Sequence, residues 1–340
     1  MIHSFKDDYS EGCHPSILAQ LCASNLVQTH EGNYGHDRFS KQARILIKQH
    51  LDHPDADIHF VAGGTQANLI VISSFLKPYE AVISAHTGHI AVHETGAIEA
   101  AGHKIINQTS SNGKLEFQQV QNILQIHQDE HMVKPRMLYI SNATELGTVY
   151  SKSELHELYE FCQKNQLLLF ADGARLANAV MAEKNPISLA DLAKFTDVFY
   201  IGGTKNGALL GEAIVINNPE LQPNFRYAIK QKGGLLAKSR LLGIQFLELF
   251  RDNLFFELGE NANQQASQLS RGIAEKGYPF FIATESNQIF PILPKILISK
   301  LLQDFNFHIW QSFDGQHDVI RLVTSWATPS EAIDSFLNKI

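Results

Sequence analysis

The chain has 340 residues, 44% of them hydrophobic and 21 of them Phe, with a formal net charge of −7. This composition can bury a large core, so it excludes a disordered chain. The acidic balance lacks the basic face expected of a general nucleic-acid binder. The length predicts either two domains or one large α/β domain with an appendage.

Three cysteines, at positions 13, 22 and 162, form no CxxC pair, which favours a reducing compartment over a disulfide scaffold. The first residues lack the basic-then-apolar pattern of a secretion signal. No apolar run approaches the ~20 residues that span a bilayer. We therefore expect a cytoplasmic protein with no membrane and no nucleic-acid partner.

Short apolar runs alternate with amphipathic stretches between residues 45 and 235. Several runs are apolar on both faces, which is typical of a mostly parallel sheet covered by helices. The sequence therefore predicts an α/β fold with a large domain whose sheet has about seven strands. Helices are predicted at Leu115–His127 and Ser153–Asn165, the second with Ser151 or Ser153 as N-cap. The predicted strands are Ile58–Val61, Ala81–Ser84, Lys104–Ile106, Met137–Ser141, Leu167–Ala171, Val198–Ile201 and Glu212–Ile216.

Beyond residue 235 the pattern changes to that of a smaller C-terminal α+β domain. Thr328, followed by Pro329, Ser330 and Glu331, is the predicted N-cap of the last helix. The other predicted helices are Leu235–Phe256, Leu258–Lys276 and Lys295–Asp304, and the predicted strands are Gln288–Ile292, Phe307–Ser312 and Val319–Thr324. We place the large domain at 46–240 and the small one at 241–340.

The segment 197–207 carries an apolar strand into two glycines, Thr204 and Lys205. Burying an ammonium group costs several kcal/mol unless it is neutralised or paired. Converting the amine to an imine would remove that charge and create an electrophile. The alternative is a lysine whose side chain leaves the sheet edge for solvent, and this segment alone does not distinguish the two.

A second segment, 167–175, delivers Asp172 at the end of a wholly apolar strand and Arg175 three residues later. The carboxyl ends of strands in open α/β sheets are where ligands bind. A buried aspartate needs a positive partner, and a pyridinium nitrogen can supply one. Asp172 could instead only cap the following helix.

A third segment, 60–69, ends a strand in Gly63, Gly64 and Thr65 before a helical pattern begins. Backbone amides at a helix N-terminus bind phosphate well. The segment matches neither the P-loop nor the dinucleotide fingerprint. Alone, it is as often a purely structural turn as a phosphate site.

His86, His89 and His93 have spacings of three and four, which would put three imidazoles on one helix face. The full ligand set of a metal site is missing, and such partial matches are usually false. We therefore predict no metal site.

The order of these segments resembles that of fold-type-I pyridoxal-phosphate enzymes, which are built like aspartate aminotransferase. Within them the chain resembles the threonine aldolase and β-eliminating lyase family, especially its phenylserine aldolase-like branch. The resemblance covers nearly the whole chain. It is carried by Gly64-Thr65-Gln66-Ala67-Asn68, His89-Ile90-Ala91-Val92-His93-Glu94-Thr95-Gly96, Asp172-Gly173-Ala174-Arg175-Leu176, Gly203-Thr204-Lys205 and Ile320-Arg321-Leu322-Val323-Thr324.

The resemblance implies a role for each matching residue. Lys205 would bind pyridoxal 5′-phosphate covalently, Asp172 would bind its ring nitrogen, and His89 would stack on its ring. The phosphate contacts implied are Gly64, Thr65, Gln66 and Thr204. A basic residue would reach in from a neighbouring subunit: Lys238 is the candidate, with Lys230 and Lys232 as alternatives. The implied substrate contacts are Tyr34, Thr144, Arg175 and Arg321. Arg175 would also contact the cofactor. The segment 1–45 would contribute to the pocket, and the protein would form a homodimer or homotetramer with shared active sites.

Two positions depart from the family. Threonine aldolases have a histidine facing the substrate hydroxyl where this chain has Thr144, which puts threonine itself in doubt. Relatives have serine or asparagine near the substrate carboxylate where Asp7 stands, and two facing carboxylates would repel.

The resemblance implies a lyase that cleaves the Cα–Cβ bond of a β-hydroxy-α-amino acid, such as threonine, allo-threonine or phenylserine, into glycine and an aldehyde. His89 or a bound water would be the base. The alternatives are a β-eliminating lyase or aminotransferase that uses the same cofactor, and a non-catalytic α/β binding protein.

Overall fold

The computed structural model describes residues 3–28, 30–184 and 187–340. The strands are β1 (His3–Ser4), β2 (Asp57–Val61), β3 (Glu80–Ala85), β4 (Ile105–Gln108), β5 (Lys134–Ser141), β6 (Leu168–Asp172), β7 (Val198–Gly202), β8 (Glu212–Ile216), β9 (Phe280–Ile282), β10 (Gln288–Pro294), β11 (Phe305–Asn306), β12 (His308–Ser312) and β13 (His317–Val323).

The α-helices are α1 (Pro15–Ser24), α2 (Arg38–Leu51), α3 (Gly64–Phe75), α4 (His89–Val92), α5 (Ala97–Ala100), α6 (Phe117–Ile126), α7 (Lys152–Lys164), α8 (Leu176–Val180), α9 (Leu189–Lys194), α10 (Phe225–Gln231), α11 (Arg240–Phe250), α12 (Leu254–Glu275), α13 (Lys295–Leu301) and α14 (Ser330–Lys339). Short 3-10 helices lie at Pro219–Leu221 and Arg251–Asn253.

A seven-stranded sheet forms the centre of the molecule, with strand order β2-β8-β7-β6-β5-β3-β4. Only β8 runs antiparallel to its neighbours, β2 and β7. The other pairs are parallel, so the carboxyl ends of β3, β5, β6 and β7 meet at one edge. These seven strands are the seven predicted from the sequence, with bounds that differ by up to three residues.

Helices cover both faces of this sheet, which explains the all-apolar strands. Leu169 and Ala171 of β6 join a core with residues of α2, α7 and α11. Leu168 and Phe170, at the alternate positions, join a second core with residues of α3 and α10. Fully burying one such large side chain contributes about 1.5–3 kcal/mol.

A second sheet, of order β12-β13-β10-β9, lies in the C-terminal part and is antiparallel. Its core includes residues of α12, α13 and α14. Phe5 also lies in this core, and β1 pairs with β11. The N-terminal segment is thereby fixed to the C-terminal part, which places Asp8 beside the central sheet edge. The division at residues 45 and 240 stays a prediction.

Two predictions about the C-terminal helices are wrong. The single helix predicted at 235–256 is α11 followed by a 3-10 turn and α12. Asp252 and Asn253 have φ angles of 53° and 64°, a left-handed conformation that ends a right-handed helix. The last helix has Pro329 rather than Thr328 at its N-cap, because the Thr328 hydroxyl accepts a hydrogen bond from the Ser325 amide (2.8 Å) and closes the preceding turn.

Ser151 caps α7 as predicted, with Glu154 completing the capping box. In the described ranges, none of the helices combines the length and the apolar character needed to cross a membrane.

Candidate active site

Lys205 follows the buried strand β7 and lies in a turn at the carboxyl edge of the sheet. Gly202 makes this turn fit, because a Cβ there would lie 2.5 Å from the carbonyl oxygen of Ala174. The Lys205 Nζ lies 5.9 Å from the centre of the Tyr9 ring and makes no hydrogen bond to a described residue. Burial and the nearby charge of Arg175 lower the pKa of this amine. A lysine whose pKa is lowered in this way is more readily deprotonated and therefore a better nucleophile.

Asp172 ends β6 and is 3% exposed. One of its oxygens accepts hydrogen bonds from the Tyr139 hydroxyl (2.5 Å) and the Asn68 amide (3.1 Å). The other accepts from the Tyr200 hydroxyl (2.5 Å) and the backbone N–H of Ala174 (3.0 Å). Burial alone would raise the pKa of Asp172, but the hydrogen bonds from the two tyrosines outweigh it and the pKa lies below its ordinary value. The group is a stable buried anion.

His89 begins α4 and connects to Asp172 through two side chains. Its Nδ1 lies 2.8 Å from Glu94, and Glu94 also accepts a hydrogen bond from Asn68 (2.7 Å), which bonds in turn to Asp172. The backbone N–H of His89 donates to Glu145 (2.9 Å). With Glu94 ionised, Nδ1 carries the proton and Nε2 is the nitrogen that can accept one. The side chain is 33% exposed, so it is open to a ligand.

The start of α3 has the features of an anion site. Gly63 is its N-cap and supplies no side-chain hydrogen bond, and a Cβ built on it would meet no atom within 4 Å. The first amides of the 12-residue helix, beginning at Gly64 and Thr65, have no partner within the helix and are available to bind an anion. A Cβ on Gly64 would lie 3.0 Å from the Tyr200 hydroxyl, so this helix end lies beside the partners of Asp172. Gln66 accepts from the Ala62 amide (3.1 Å) and holds the turn.

Arg175 lies just before α8 and forms an ion pair with Asp8, Nε–Oδ2 2.7 Å and Nη2–Oδ1 3.0 Å. Asp8 also accepts from the Asn287 amide (2.9 Å). Burial alone would raise the pKa of Asp8, but Arg175 and Lys205 lower it below its ordinary range.

Arg321, on β13, is the second cation near this pair. Its guanidinium lies 5.4 Å from the centre of the Trp310 ring, and its Nη2 donates to the Lys6 carbonyl (3.4 Å). Its Nε is buried and has no hydrogen-bond partner among the residues that the structure describes. Burial and the charge of Arg175 lower the pKa of Arg321. An anion between the two guanidinium groups would relieve both penalties.

Several of the predicted site residues do not contact the groups around Lys205, Asp172 and Arg175. Thr144 is fully buried, and its hydroxyl bonds to that of Thr148 (2.7 Å). Tyr34 lies against Lys230, with 4.8 Å between the ring centre and Nζ. Lys238 is exposed and lines a separate groove beside α1.

Two further residues differ from expectation. The Asp7 side chain accepts from the Ser10 hydroxyl (2.7 Å), and Asp8 rather than Asp7 is the carboxylate that pairs with Arg175. The Thr204 hydroxyl bonds to Glu212 (2.9 Å), and its contact with a phosphate stays a prediction.

The sequence analysis missed the groups that support the site: Asn68, Glu94, Tyr139, Glu145, Tyr200, Glu212 and Asp8. Asn68 and Glu94 stand inside quoted motifs, and the others gave no signal in one sequence. His86, His89 and His93 would share a face only on one continuous helix, and α4 contains only His89 of the three. Among the described residues, no group of three or more His, Cys, Asp or Glu side chains is placed to hold a metal ion.

The donor set fits pyridoxal phosphate. A partly buried lysine amine that forms no ion pair with a described residue suits its aldehyde, an ionised aspartate suits its ring nitrogen, and a helix N-terminus suits its phosphate. The fold and these side chains together define a pyridoxal-phosphate enzyme of fold type I.

Comparisons with known proteins agree. A family model described as beta-eliminating lyase matches residues 9–293. A low specificity L-threonine aldolase of Pseudomonas aeruginosa is 32% identical over 332 residues, which cover 96% of this chain and 93% of that protein.

Solved structures also show similarity to a threonine aldolase. A Leishmania major threonine aldolase structure is 46% identical, with a TM-score of 0.97 and coverage of 99% of this chain and 98% of the other. An aromatic aminotransferase from Pyrococcus horikoshii is 16% identical, with a TM-score of 0.71 over 99% of this chain and 94% of the other, and shares the fold alone. The chain belongs to the β-eliminating lyase family and is a pyridoxal-phosphate-dependent aldehyde-lyase.

Proposed function

We propose that this protein cleaves the Cα–Cβ bond of L-threonine and related β-hydroxy-α-amino acids, giving glycine and an aldehyde. The observation that carries the proposal is that Lys205, Asp172 and the Arg175–Asp8 ion pair lie together at the carboxyl edge of the central sheet. Arg321, on β13 of the second sheet, lies close enough to Arg175 for its charge to be felt. The full-length similarity to proteins named threonine aldolase supports the same reaction.

Lys205 would hold the cofactor through its Nζ, and Asp172 would bind the protonated ring nitrogen. The amides that begin α3, at Gly64, Thr65 and Gln66, would bind the phosphate. The bound cofactor supplies a ring that accepts the electron pair of the broken bond. The two tyrosines on Asp172 keep that carboxylate ionised, so it can hold a positive charge at the ring nitrogen.

The two arginines would bind the substrate carboxylate. A guanidinium has five N–H donors, and Asp8 uses only two of those on Arg175. The remaining donors of Arg175, together with the unpartnered Nε of Arg321, can bind a second carboxylate. Asp8 therefore orients Arg175 for the substrate and does not compete for the same hydrogen bonds.

His89 would move the proton. When the Cα–Cβ bond breaks, the β-hydroxyl loses its proton and becomes the aldehyde oxygen, and Cα gains a proton to become glycine. His89 can accept the hydroxyl proton at Nε2 while Glu94 holds Nδ1. A bound water is the alternative acceptor.

We further propose that the enzyme accepts threonine, allo-threonine and phenylserine. The family resemblance aligns Thr144 with a histidine of threonine aldolases, and the Thr144 hydroxyl is bonded inside the fold to Thr148. No side chain from that position would then distinguish the two configurations of the β-hydroxyl. A weak preference between threonine and allo-threonine follows.

We also propose a homodimer or homotetramer in which Lys238 reaches the phosphate of a neighbouring site. Lys238 is exposed beside apolar side chains, among them Leu26, which is 92% exposed. Light scattering should give two or four chains, and a monomer with full activity would contradict the assembly. Cytoplasmic location stays a prediction.

The test is a panel of L-threonine, L-allo-threonine and phenylserine, assayed for glycine, aldehyde and ammonia. We expect equal amounts of glycine and aldehyde, and no product with Lys205→Ala. Release of ammonia and a keto acid would instead indicate β-elimination. If cofactor-loaded protein formed no product from any of the three substrates, the proposal would be contradicted.

A further inference from the structure

Glu212 is a buried carboxyl group that lies next to the lysine turn. It begins β8, opposite Gly202 of β7, and is 4% exposed. Its Oε2 accepts a hydrogen bond from the Gly203 amide (3.1 Å) and its Oε1 from the Thr204 hydroxyl (2.9 Å). The Thr204 hydroxyl also accepts from the Gly211 amide (3.0 Å). The carboxyl is thus fixed to the two residues that precede Lys205.

The charges around Glu212 couple it to that lysine. Burial raises the pKa of Glu212 to about 8, the Thr204 hydrogen bond and the charge of Lys205 limit the rise, and Asp172 adds to it. Burial and Arg175 lower the pKa of Lys205, while Asp8, Asp172 and Glu212 oppose that decrease. The protonated Lys205 amine and the ionised Glu212 carboxylate therefore each stabilise the charge of the other.

We propose that Glu212 is a positioning residue for Lys205, which fixes the backbone before the lysine and, when ionised, favours the protonated amine. This proposal for Glu212 rests on the proposed function only in that Lys205 is taken to be the residue that holds the cofactor. No step of that function uses Glu212.

The variant Glu212→Gln separates charge from hydrogen bonding. A glutamine oxygen can still accept from the Gly203 amide, and its NH₂ can donate to the Thr204 oxygen. The negative charge is lost, so the protonated form of Lys205 loses a stabilising neighbour. An opposite charge nearby typically shifts a pKa by one unit or more.

The measurement is the pH dependence of Lys205 acetylation by acetic anhydride, in full-length protein from which the cofactor has been removed, followed by peptide mass spectrometry. We expect the midpoint to fall by about one pH unit in Glu212→Gln. An unchanged midpoint would overturn the proposal. Glu80→Gln is the matched control, because Glu80 is also a buried glutamate but bonds to the Lys77 amide at the opposite end of the sheet; its midpoint should match the wild type.

If Glu212→Gln fails to fold, as judged by circular dichroism, Glu212→Asp retains a carboxylate and should keep the midpoint near that of the wild type. A fall of one unit in Glu212→Asp would overturn the proposal. Acetylation needs neither cofactor nor turnover. A protein that cleaves no substrate but shows the midpoint shift would therefore refute the proposed function and leave the role of Glu212 standing.

Discussion

The carboxylate of Asp8 lies against the guanidinium of Arg175, 167 positions further along the chain, with N–O distances of 2.7 and 3.0 Å. The Asp8 side chain is 1% exposed and that of Arg175 is 11% exposed. The pair joins the N-terminal segment to the carboxyl edge of the central sheet. It also fixes the direction of a guanidinium that we assign to the substrate carboxylate.

Replacing Asp8 should therefore destabilise the fold. Removing one member of a buried ion pair leaves an uncompensated charge, which costs about 3–5 kcal/mol. We expect Asp8→Ala to lower the free energy of unfolding by that amount, as measured by urea denaturation. Asp7→Ala is the control, because the Asp7 carboxylate accepts hydrogen bonds from its near neighbours Tyr9 and Ser10 and is not paired with Arg175. A loss of similar size in both variants would contradict the assignment of the ion pair to Asp8.

Two variants of His89 separate ring packing from proton transfer. Positioned acid–base groups contribute about 10²–10⁴-fold to a rate. We expect His89→Phe to lower kcat on threonine by that factor while cofactor affinity is preserved, because phenylalanine retains an aromatic ring. His89→Ala should lower both. A His89→Phe enzyme with wild-type kcat would identify a bound water as the base.

The tyrosines on Asp172 should affect cofactor binding. A hydrogen bond to a charged group contributes about 1.5–3 kcal/mol. Tyr200→Phe removes one such bond, so the pKa of Asp172 should rise and cofactor affinity should fall roughly tenfold or more. Fluorescence titration of the cofactor-free protein measures this affinity. Tyr159→Phe is the control, since Tyr159 packs on Phe195 away from the site, and equal losses in both variants would contradict the role of Tyr200.

Glu212 should make stability depend on pH. Its pKa is raised from 4.5 in the unfolded chain to about 8 in the fold. The unfolded chain releases this proton first, so the contribution of Glu212 to stability is full below pH 4.5 and is lost as the pH rises through 8. In thermal unfolding, the Tm of Glu212→Gln should rise relative to the Tm of the wild type as the pH increases from 5 to 8.5. A constant difference in Tm across this range would show that Glu212 is already ionised at pH 5.

Contiguous patterns explain what could be predicted from the sequence. Strands with both faces buried are runs of apolar residues, so β6 and β7 could be predicted from the amino-acid sequence of each segment alone. Asp172 and Lys205 follow those strands directly, and parallel strands bring their carboxyl ends to one edge. The placement of these two groups therefore followed from local sequence.

The rest of the site depends on contacts between distant positions. Asn68 and Asp172 are 104 residues apart, and Tyr139 reaches Asp172 across 33. The sequence predicts Tyr200 and Glu212 as strand residues. That they face the candidate active site is evident only from the order of the strands in the sheet. A single sequence carries no information on which buried polar group bonds to which.

The central claim is tested most directly by borohydride reduction of the cofactor-loaded protein, followed by digestion and mass spectrometry of every lysine-containing peptide. We predict a stable pyridoxyl group on the peptide that contains Lys205 and on no other, with loss of the visible absorbance band. A pyridoxyl group on a different lysine, or none in protein that carries stoichiometric cofactor, would contradict the account.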